Sequence, residues 1–207
     1  MMVLYIPNGK NGKPAIGGED GIENITINGG KFYGGTIGSI NPNLGVIKIK
    51  GGEIISTGIG LKCSQVLITG GKIKTTNNSS SAITCAEGGH IEMTGGNIFA
   101  KGKNNLNIGI YSGSTLVPYT PKNGTTDLYE TQIKLQNVGE NKKVTKLTTS
   151  DNIEYGINDM YTLENGMLYL YLPAGTRTIT IEVDGKTYSG TVATTETPEE
   201  VTLNEVN

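Results

Sequence analysis

Tryptophan is absent from this 207-residue chain, phenylalanine occurs twice and histidine once. The large side chains that fill a thick globular core are therefore scarce, and many thin packed layers suit the supply better. A lone histidine, His90, leaves almost no material for a His-based zinc site or an ordinary Ser-His-Asp triad. Before residue 127 the only aspartate is Asp20, so that region lacks the stacked acidic groups that calcium sites and glycosidic acid pairs require. A basic stripe is missing too: 17 Lys and Arg stand against 19 Asp and Glu, the net charge is -2, and the lysines are scattered. That excludes nucleic acid as a partner and disfavours anionic membrane surfaces. No apolar run approaches the roughly 18 residues of a spanning helix. Met1 to Ile6 lack the basic start and long apolar centre of a signal peptide, so any export signal is expected outside this sequence.

Glycine, in contrast, is abundant, 31 of 207 residues, about twice average usage. Such composition also occurs in disordered chains, but here apolar residues recur at fixed offsets, which low-complexity disorder lacks. Alignment on Gly-Gly pairs gives Ile25-Thr-Ile-Asn-Gly-Gly-Lys-Phe, Ile47-Lys-Ile-Lys-Gly-Gly-Glu-Ile, Val66-Leu-Ile-Thr-Gly-Gly-Lys-Ile and Ile91-Glu-Met-Thr-Gly-Gly-Asn-Ile. The first glycines, Gly29, Gly51, Gly70 and Gly95, are 22, 19 and 25 residues apart, a solenoid spacing. Positions four and two before the first glycine are apolar in every copy, with mostly polar residues between, the period-two alternation of a strand. After the pair, the third position is again apolar (Phe32, Ile54, Ile73, Ile98) and the fifth small (Gly34, Ser56, Thr75, Ala100). Like residues would thus stack about 4.8 Å apart in ladders.

The pairs themselves, Gly29 and Gly30, Gly51 and Gly52, Gly70 and Gly71, Gly95 and Gly96, are read as structural corner residues that reach positive φ without steric cost. A phosphate cradle would need a Gly-Lys-Ser/Thr element and a following helix, and neither is present. The Leu-x-x-Leu-x-Leu signature of leucine-rich repeats is absent, and about 22 residues cannot hold two strands plus a crossover helix. A second strand per copy is expected at Gly58 to Cys63, Ser80 to Cys85 and Asn105 to Ile110, with Ile59, Leu61, Cys63, then Ser81, Ile83, Cys85, then Leu106, Ile108, Ile110 facing inward. The two cysteines, Cys63 and Cys85, then fall at one place in successive copies. Their Cβ vectors would run parallel, which disfavours a disulfide and favours buried thiols. The expected fold is all-β: a right-handed parallel β-helix of about five coils over residues 1–119, a linker at 120–126, and a small antiparallel β-sandwich over 127–207.

That second part is read from alternating strands at Thr131 to Leu135, Val144 to Thr148, Met167 to Leu172, Thr178 to Val183, Thr187 to Val192 and Glu200 to Leu203. Turn pairs such as Asn165-Gly166 and Asp184-Gly185 separate them, the latter a strong hairpin signal. Six of the ten tyrosines lie here and are expected to supply its aromatic core. The sandwich is also expected to shield the last coil, because an open solenoid end exposes unpaired strand edges.

The segment from Asn165 to Ile181, Asn-Gly-Met-Leu-Tyr-Leu-Tyr-Leu-Pro-Ala-Gly-Thr-Arg-Thr-Ile-Thr-Ile, resembles the Gly-x-Leu-x-Leu-x-Leu-Pro-x-Gly-x-Tyr-x-Val stretch of prealbumin-like and collagen-adhesin B-type domains of bacterial surfaces. The Gly-Gly copies resemble glycine-rich β-helix segments of secreted bacterial proteins often described as carbohydrate-binding. These resemblances imply a secreted or cell-surface location and contact with glycans or a host, by analogy of fold. Some B-type domains carry a Lys to Asn isopeptide bond between their first and last strands, for which this chain offers Lys134 and Asn204. A solvated Lys and Asn is the competing reading.

Outward positions flanking the glycines read Thr26 and Asn28, Lys48 and Lys50, Leu67 and Thr69, Glu92 and Thr94 on one strand. On the other they read Lys31 and Tyr33, Glu53 and Ile55, Lys72 and Lys74, Asn97 and Phe99. No two carboxylates stack on neighbouring copies, which argues against a polysaccharide lyase or hydrolase. A Cys85–His90 nucleophile pair is set against a simpler reading, an inward cysteine and a corner histidine. Two aromatic rings, Tyr33 and Phe99, with Asn97 beside the second, are the candidate carbohydrate contacts; three strand spacings put the rings about 14 Å apart. The alternative is that both rings cover a coil edge or pack on the second part. The expected function is a non-catalytic, monomeric extracellular recognition or adhesion module without cofactor or metal, its partner a polysaccharide or cell-surface glycan. A structural stalk or cap and a polysaccharide-acting enzyme are the alternatives.

Overall fold

A computed structural model describes residues 3–6, 16, 24–38, 45–58, 61–101 and 106–206; for 3–6, 62 and 63 it describes the backbone alone. The described chain is all-β, with no α-helix. Its first part contains β1 (Val3–Ile6), β2 (Asn24–Ile27), β3 (Lys31–Gly34), β4 (Ile37–Gly38), β5 (Val46–Ile49), β6 (Glu53–Ser56), β7 (Leu61–Ile68), β8 (Lys72–Thr75), β9 (Ile83–Met93), β10 (Asn97–Ala100), β11 (Ile108–Ser112) and β12 (Thr115–Pro118). Two sheets share these strands. One is parallel throughout, in the order β1-β3-β6-β8-β10, and the other runs β2-β5-β7-β9-β11 in parallel before β12 joins antiparallel.

The register aligns like with like. Ile25, Ile47, Val66 and Ile91 are successive partners, as are Ile27, Ile49, Ile68 and Met93. Across the Gly-Gly corner, Phe32, Ile54, Ile73 and Ile98 form a second apolar ladder, and Gly34, Ser56, Thr75 and Ala100 a small one. Residues of both sheets meet in one core in which Ile47, Ile49, Ile68, Ile73, Ile83, Ile91 and Met93 are inaccessible or nearly so. Each such side chain contributes about 2 to 3 kcal/mol of transfer free energy. The inward residues Leu61, Ser81, Ile83, Cys85 and Ile108 are buried as their alternation requires. Ile59 and the Cys63 side chain lie outside the described residues, although Cys63 and Cys85 pair at the Cα level. The second strands are not separate elements: in β7 and β9 they run straight into the next Gly-Gly strand, across a register shift between Cys63 and Gln65.

The segment 120–126 is ordered. It carries β13 (Lys122–Asn123), which pairs antiparallel with β14 (Thr126–Asp127) and joins β9 at Glu92. The remaining strands are β15 (Tyr129–Leu135), β16 (Val144–Thr149), β17 (Met167–Leu172), β18 (Gly175–Val183), β19 (Lys186–Thr194) and β20 (Glu200–Val206), the six expected, extended by a few residues at several ends. They form one curled path, β16-β18-β19-β20-β15-β17, antiparallel except where β15 and β20 run parallel. Asp184 and Gly185 turn β18 into β19 with positive φ at both (52° and 73°), the mirror-image turn that matches strand twist. Ile133, Leu135, Leu168, Leu170, Ile179, Ile181, Val192 and Leu203 close the core of this half. Of the tyrosines expected there, Tyr155 and Tyr188 join it, whereas Tyr171 packs into the core of the first part.

At the C-terminal end of the stack β12 folds back on β11. The C-terminal half lies along the side of the stack and also reaches its last coil, where Asn107 Nδ2 donates to Glu130 Oε2 (2.6 Å) and Leu128 and Tyr171 enter the core. Along the side, the outward ladder of β3, β6, β8 and β10 presents Lys72, Lys74 and Asn97 to partners in that half.

Candidate functional site

Within each glycine pair the two residues do different work. The second glycines, Gly30, Gly52, Gly71 and Gly96, take φ values of 96°, 93°, 91° and 97°, which side-chain-bearing residues resist. Three of the first glycines, Gly51, Gly70 and Gly95, leave room for a segment of the C-terminal half, Tyr155 to Asp159, that crosses the rungs. The Gly156 amide donates to Thr94 O (2.7 Å), Gly96 N to Gly156 O (3.1 Å) and Gly71 N to Asn158 O (2.6 Å). Asn158 Nδ2 donates to Lys50 O (2.8 Å), and Gly52 N to Asp159 Oδ2 (3.0 Å). The Tyr155 hydroxyl donates to Gly96 O (2.7 Å) and accepts from Tyr171 N (3.1 Å). A Cβ on Gly70 would lie 2.9 Å from Asn158 O of the strap and 2.8 Å from Lys50 O; one on Gly95 would lie 2.6 Å from the Gly156 Cα of the strap. The strap occupies the volume those methyls would need.

Beside the strap, the outward ladder Lys31, Glu53, Lys72, Asn97 passes from half-buried at Lys31 to buried at the other three. Lys72 and Asn97 are inaccessible. Glu53 bridges Lys31 (2.6 Å) and Lys72 (3.2 Å), and Lys72 Nζ also donates to Asn141 Oδ1 (2.6 Å). Burial works to raise the Glu53 carboxyl, but the two lysines outweigh it and hold it below its ordinary value. For Lys72 burial prevails over the attraction of Glu53, and its ammonium is easier to deprotonate than usual. Burial also works to lower Lys74, yet Glu140 (3.0 Å) and Glu164 (3.2 Å) outweigh it and raise its value. Asn97 is spent structurally: its Nδ2 donates to Tyr161 O and its Oδ1 accepts from Tyr169 N, both 2.9 Å. As a ligand contact it is therefore corrected, because an inaccessible amide with both ends bonded has nothing to offer a sugar.

Phe99, one position further out, lies 4.9 Å between centroids from the Tyr169 ring. This pair lines a cleft of about 250 Å³ whose polar rim is Lys134, Glu164, Asn165 and Glu200. Burial, reinforced by the carboxylates of Glu130, Glu200 and Glu164, pushes the Tyr169 phenol up to about 12, so it is a neutral donor at ordinary pH. Tyr33 is 41% exposed and does not join the cleft; Ile55 and Lys74 separate it from Phe99 along the ladder. The structure thus gathers Phe99 with Glu164 and Glu200, which the sequence left unmarked, and with Tyr169, which was expected in the aromatic core of the C-terminal half and lies at the cleft instead. Their only legible signal was the outward parity of Tyr169 in an otherwise apolar strand.

A wider groove of about 860 Å³ runs past Asn123, Thr148, Asn152, Glu154 and the strap, but Tyr155, the aromatic residue lining it, is buried with its hydroxyl already bonded. His90 bonds Glu92 (2.9 Å), which also accepts from Gly124 N (2.7 Å); the Gly124 amide, then His90, holds the Glu92 carboxyl below its usual range. Cys85 is buried in the core, away from any such surface. Lys134 and Asn204 sit on the neighbouring parallel strands β15 and β20, where Lys134 pairs with Thr202 and Asn204 with Ser189 of β19. Among the described residues no group of three or more His, Cys, Asp or Glu is placed to hold a metal ion. No protein-family model, curated protein or solved structure matches the chain.

Proposed function

We propose that this chain is a non-catalytic recognition module of a secreted or cell-surface bacterial protein, and that it binds carbohydrate in the cleft lined by Phe99 and Tyr169. The fold in this reading is a right-handed parallel β-helix with a small β-sandwich of the prealbumin-like kind against its side. The aligned ladders of both parallel sheets support the first element, and the six-strand pattern with its Leu-x-Leu-x-Leu-Pro stretch supports the second. The observation that carries the ligand class is the aromatic pair, 4.9 Å apart, beside an amide, two carboxylates and a lysine. Apolar sugar faces stack on aromatic rings while hydroxyls find carboxylate and amide partners at the rim. Acting as a monomer without a cofactor, the module would hold a polysaccharide or cell-surface glycan.

A glycan array read with the parent protein and with Phe99→Ala and Tyr169→Ala tests this. The parent binds at least one glycan class, and each truncation weakens it by about tenfold, equivalent to ~1.4 kcal/mol. Binding that ignores both substitutions refutes the site. A reducing-sugar assay on the same panel tests the non-catalytic part, which product release would overturn. Silence in both assays favours the stalk, a reading supported by the strap that ties the two halves together.

A further inference from the structure

Lys72 and Asn141 come from parts of the chain 69 residues apart, yet the lysine amine points directly at the amide. Its Nζ is 2.6 Å from Asn141 Oδ1 and 3.2 Å from Glu53 Oε1. With an ordinary angle at the carbonyl oxygen, that places the amine about 3.4 Å from the carboxamide carbon, a distance from which it can attack once it leaves the hydrogen-bonding direction. We propose that Lys72 and Asn141 join in a spontaneous isopeptide bond that welds the parallel stack to the C-terminal half, with Glu53 as the proton acceptor.

Three features of the structure make the step chemically coherent. First, the amine is fully buried, and desolvation favours its neutral, nucleophilic form. The groups facing it are Glu53, Glu140, Lys74 and Asn141. Second, Glu53 is kept ionised by Lys31 at 2.6 Å, so a carboxylate is in place to take the proton. Third, the backbone that carries the electrophile is held. Asn141 sits in a left-handed turn (φ 62°), its backbone N–H donating to Thr162 O at 2.9 Å, while Thr162 Oγ1 accepts from Lys142 N and donates to Gly139 O.

In the reaction Glu53 accepts a proton from the Lys72 ammonium, and the amine swings out of the amide plane to attack Cγ of Asn141. The Nζ–Cγ bond forms and the Cγ–Nδ2 bond breaks as Glu53 passes that proton to the departing nitrogen and then takes the second proton that Nζ sheds on becoming an amide, to be released to solvent. Ammonia leaves, with no oxidant or external reactant required. Asn141 is exposed, which gives the ammonia a path to solvent. The pair is distinct from Lys134 and Asn204, which lie within one curled sheet; this bond would join β8 of the stack to the turn before β16.

Intact mass spectrometry of the full chain, folded by circular dichroism and incubated in mildly alkaline buffer, decides the matter. The expected mass is below the sequence value by about 17 Da, the mass of ammonia, with a tryptic fragment joining the Lys72 and Asn141 peptides. Asn141→Gly keeps a residue suited to the positive φ and removes the electrophile, so it should show its own sequence mass. Folded parent protein at the full sequence mass overturns the proposal. So does a deficit that persists in Asn141→Gly or maps to a succinimide at an Asn-Gly pair such as Asn28-Gly29 or Asn165-Gly166.

Discussion

Replacing Gly156 with alanine puts a methyl group where the strap meets the stack. An ideal Cβ there would overlap the carbonyl oxygen of Thr69 and lie 2.9 Å from its carbonyl carbon. Both atoms are backbone, so no rotamer relieves the clash, and the strap must lift. Lifting breaks Gly156 N to Thr94 O and Gly96 N to Gly156 O, and strains Tyr155 OH to Gly96 O next to it. At about 1 kcal/mol for each bond, plus the cost of leaving buried donors unpaired, the loss is about 3 to 5 kcal/mol. Gly139 is the control, because a Cβ there meets nothing within 4 Å, and Gly139→Ala should fall within about 0.5 kcal/mol of the parent. Urea unfolding followed by circular dichroism gives both values, and hydrogen exchange at the Gly71 and Gly96 amides reports whether the strap alone has opened. A Gly156→Ala protein as stable as Gly139→Ala, with those amides still protected, would refute the assignment of the first glycines to strap docking.

Other consequences follow from the same geometry. Ile68→Asp places an unpaired carboxylate in the inaccessible ladder and should cost more than about 4 kcal/mol, whereas Thr26→Asp on the exposed face of β2 should be nearly silent; comparable melting temperatures would invert the facing. Thr84 Oγ1 is buried and has no hydrogen-bond partner among the described residues, so Thr84→Val should stabilise by about 1 kcal/mol, and a clear loss in thermal unfolding would mean that the hydroxyl is used. Glu53 titrates below its ordinary 4.5; its contribution is therefore complete above 4.5 and disappears as pH falls through the lower folded value. Urea unfolding between neutral and acid pH should give a shallower acid slope for Glu53→Gln, with Asp151 and Glu92, also lowered, supplying the residual slope; identical slopes would show that Glu53 does not carry its share.

Alternation and turn chemistry are local properties, and they were legible. Ile25 to Ile27, Ile47 to Ile49, Val66 to Ile68 and Ile91 to Met93 announce their inward faces through period two, and their pairing follows because like residues stack. The strands of the C-terminal half and the Asp184-Gly185 turn were readable for the same reason. The glycine pairs were legible only in part. Positive φ at Gly30, Gly52, Gly71 and Gly96 follows from the need to turn a corner, but nothing near Gly70 or Gly95 in sequence announces a strap from Gly156 and Asn158.

The fate of the outward face was decided by tertiary structure alone. Lys31, Glu53, Lys72, Asn97 and Phe99 read only as outward residues, the last two as candidate ligand contacts, because alternation separates two faces of a strand without saying what covers either. Their partners arrive from far along the chain, Asp159 at 107 residues from Gly52 and Tyr169 at 72 residues from Asn97. Glu53 and Lys72 could enter a sealed interface because they stand in register on adjacent strands and neutralise one another, a coincidence that composition does not encode. The sequence by itself determined which side chains build the stack; docking of the C-terminal half determined which of the remaining side chains stay available for binding.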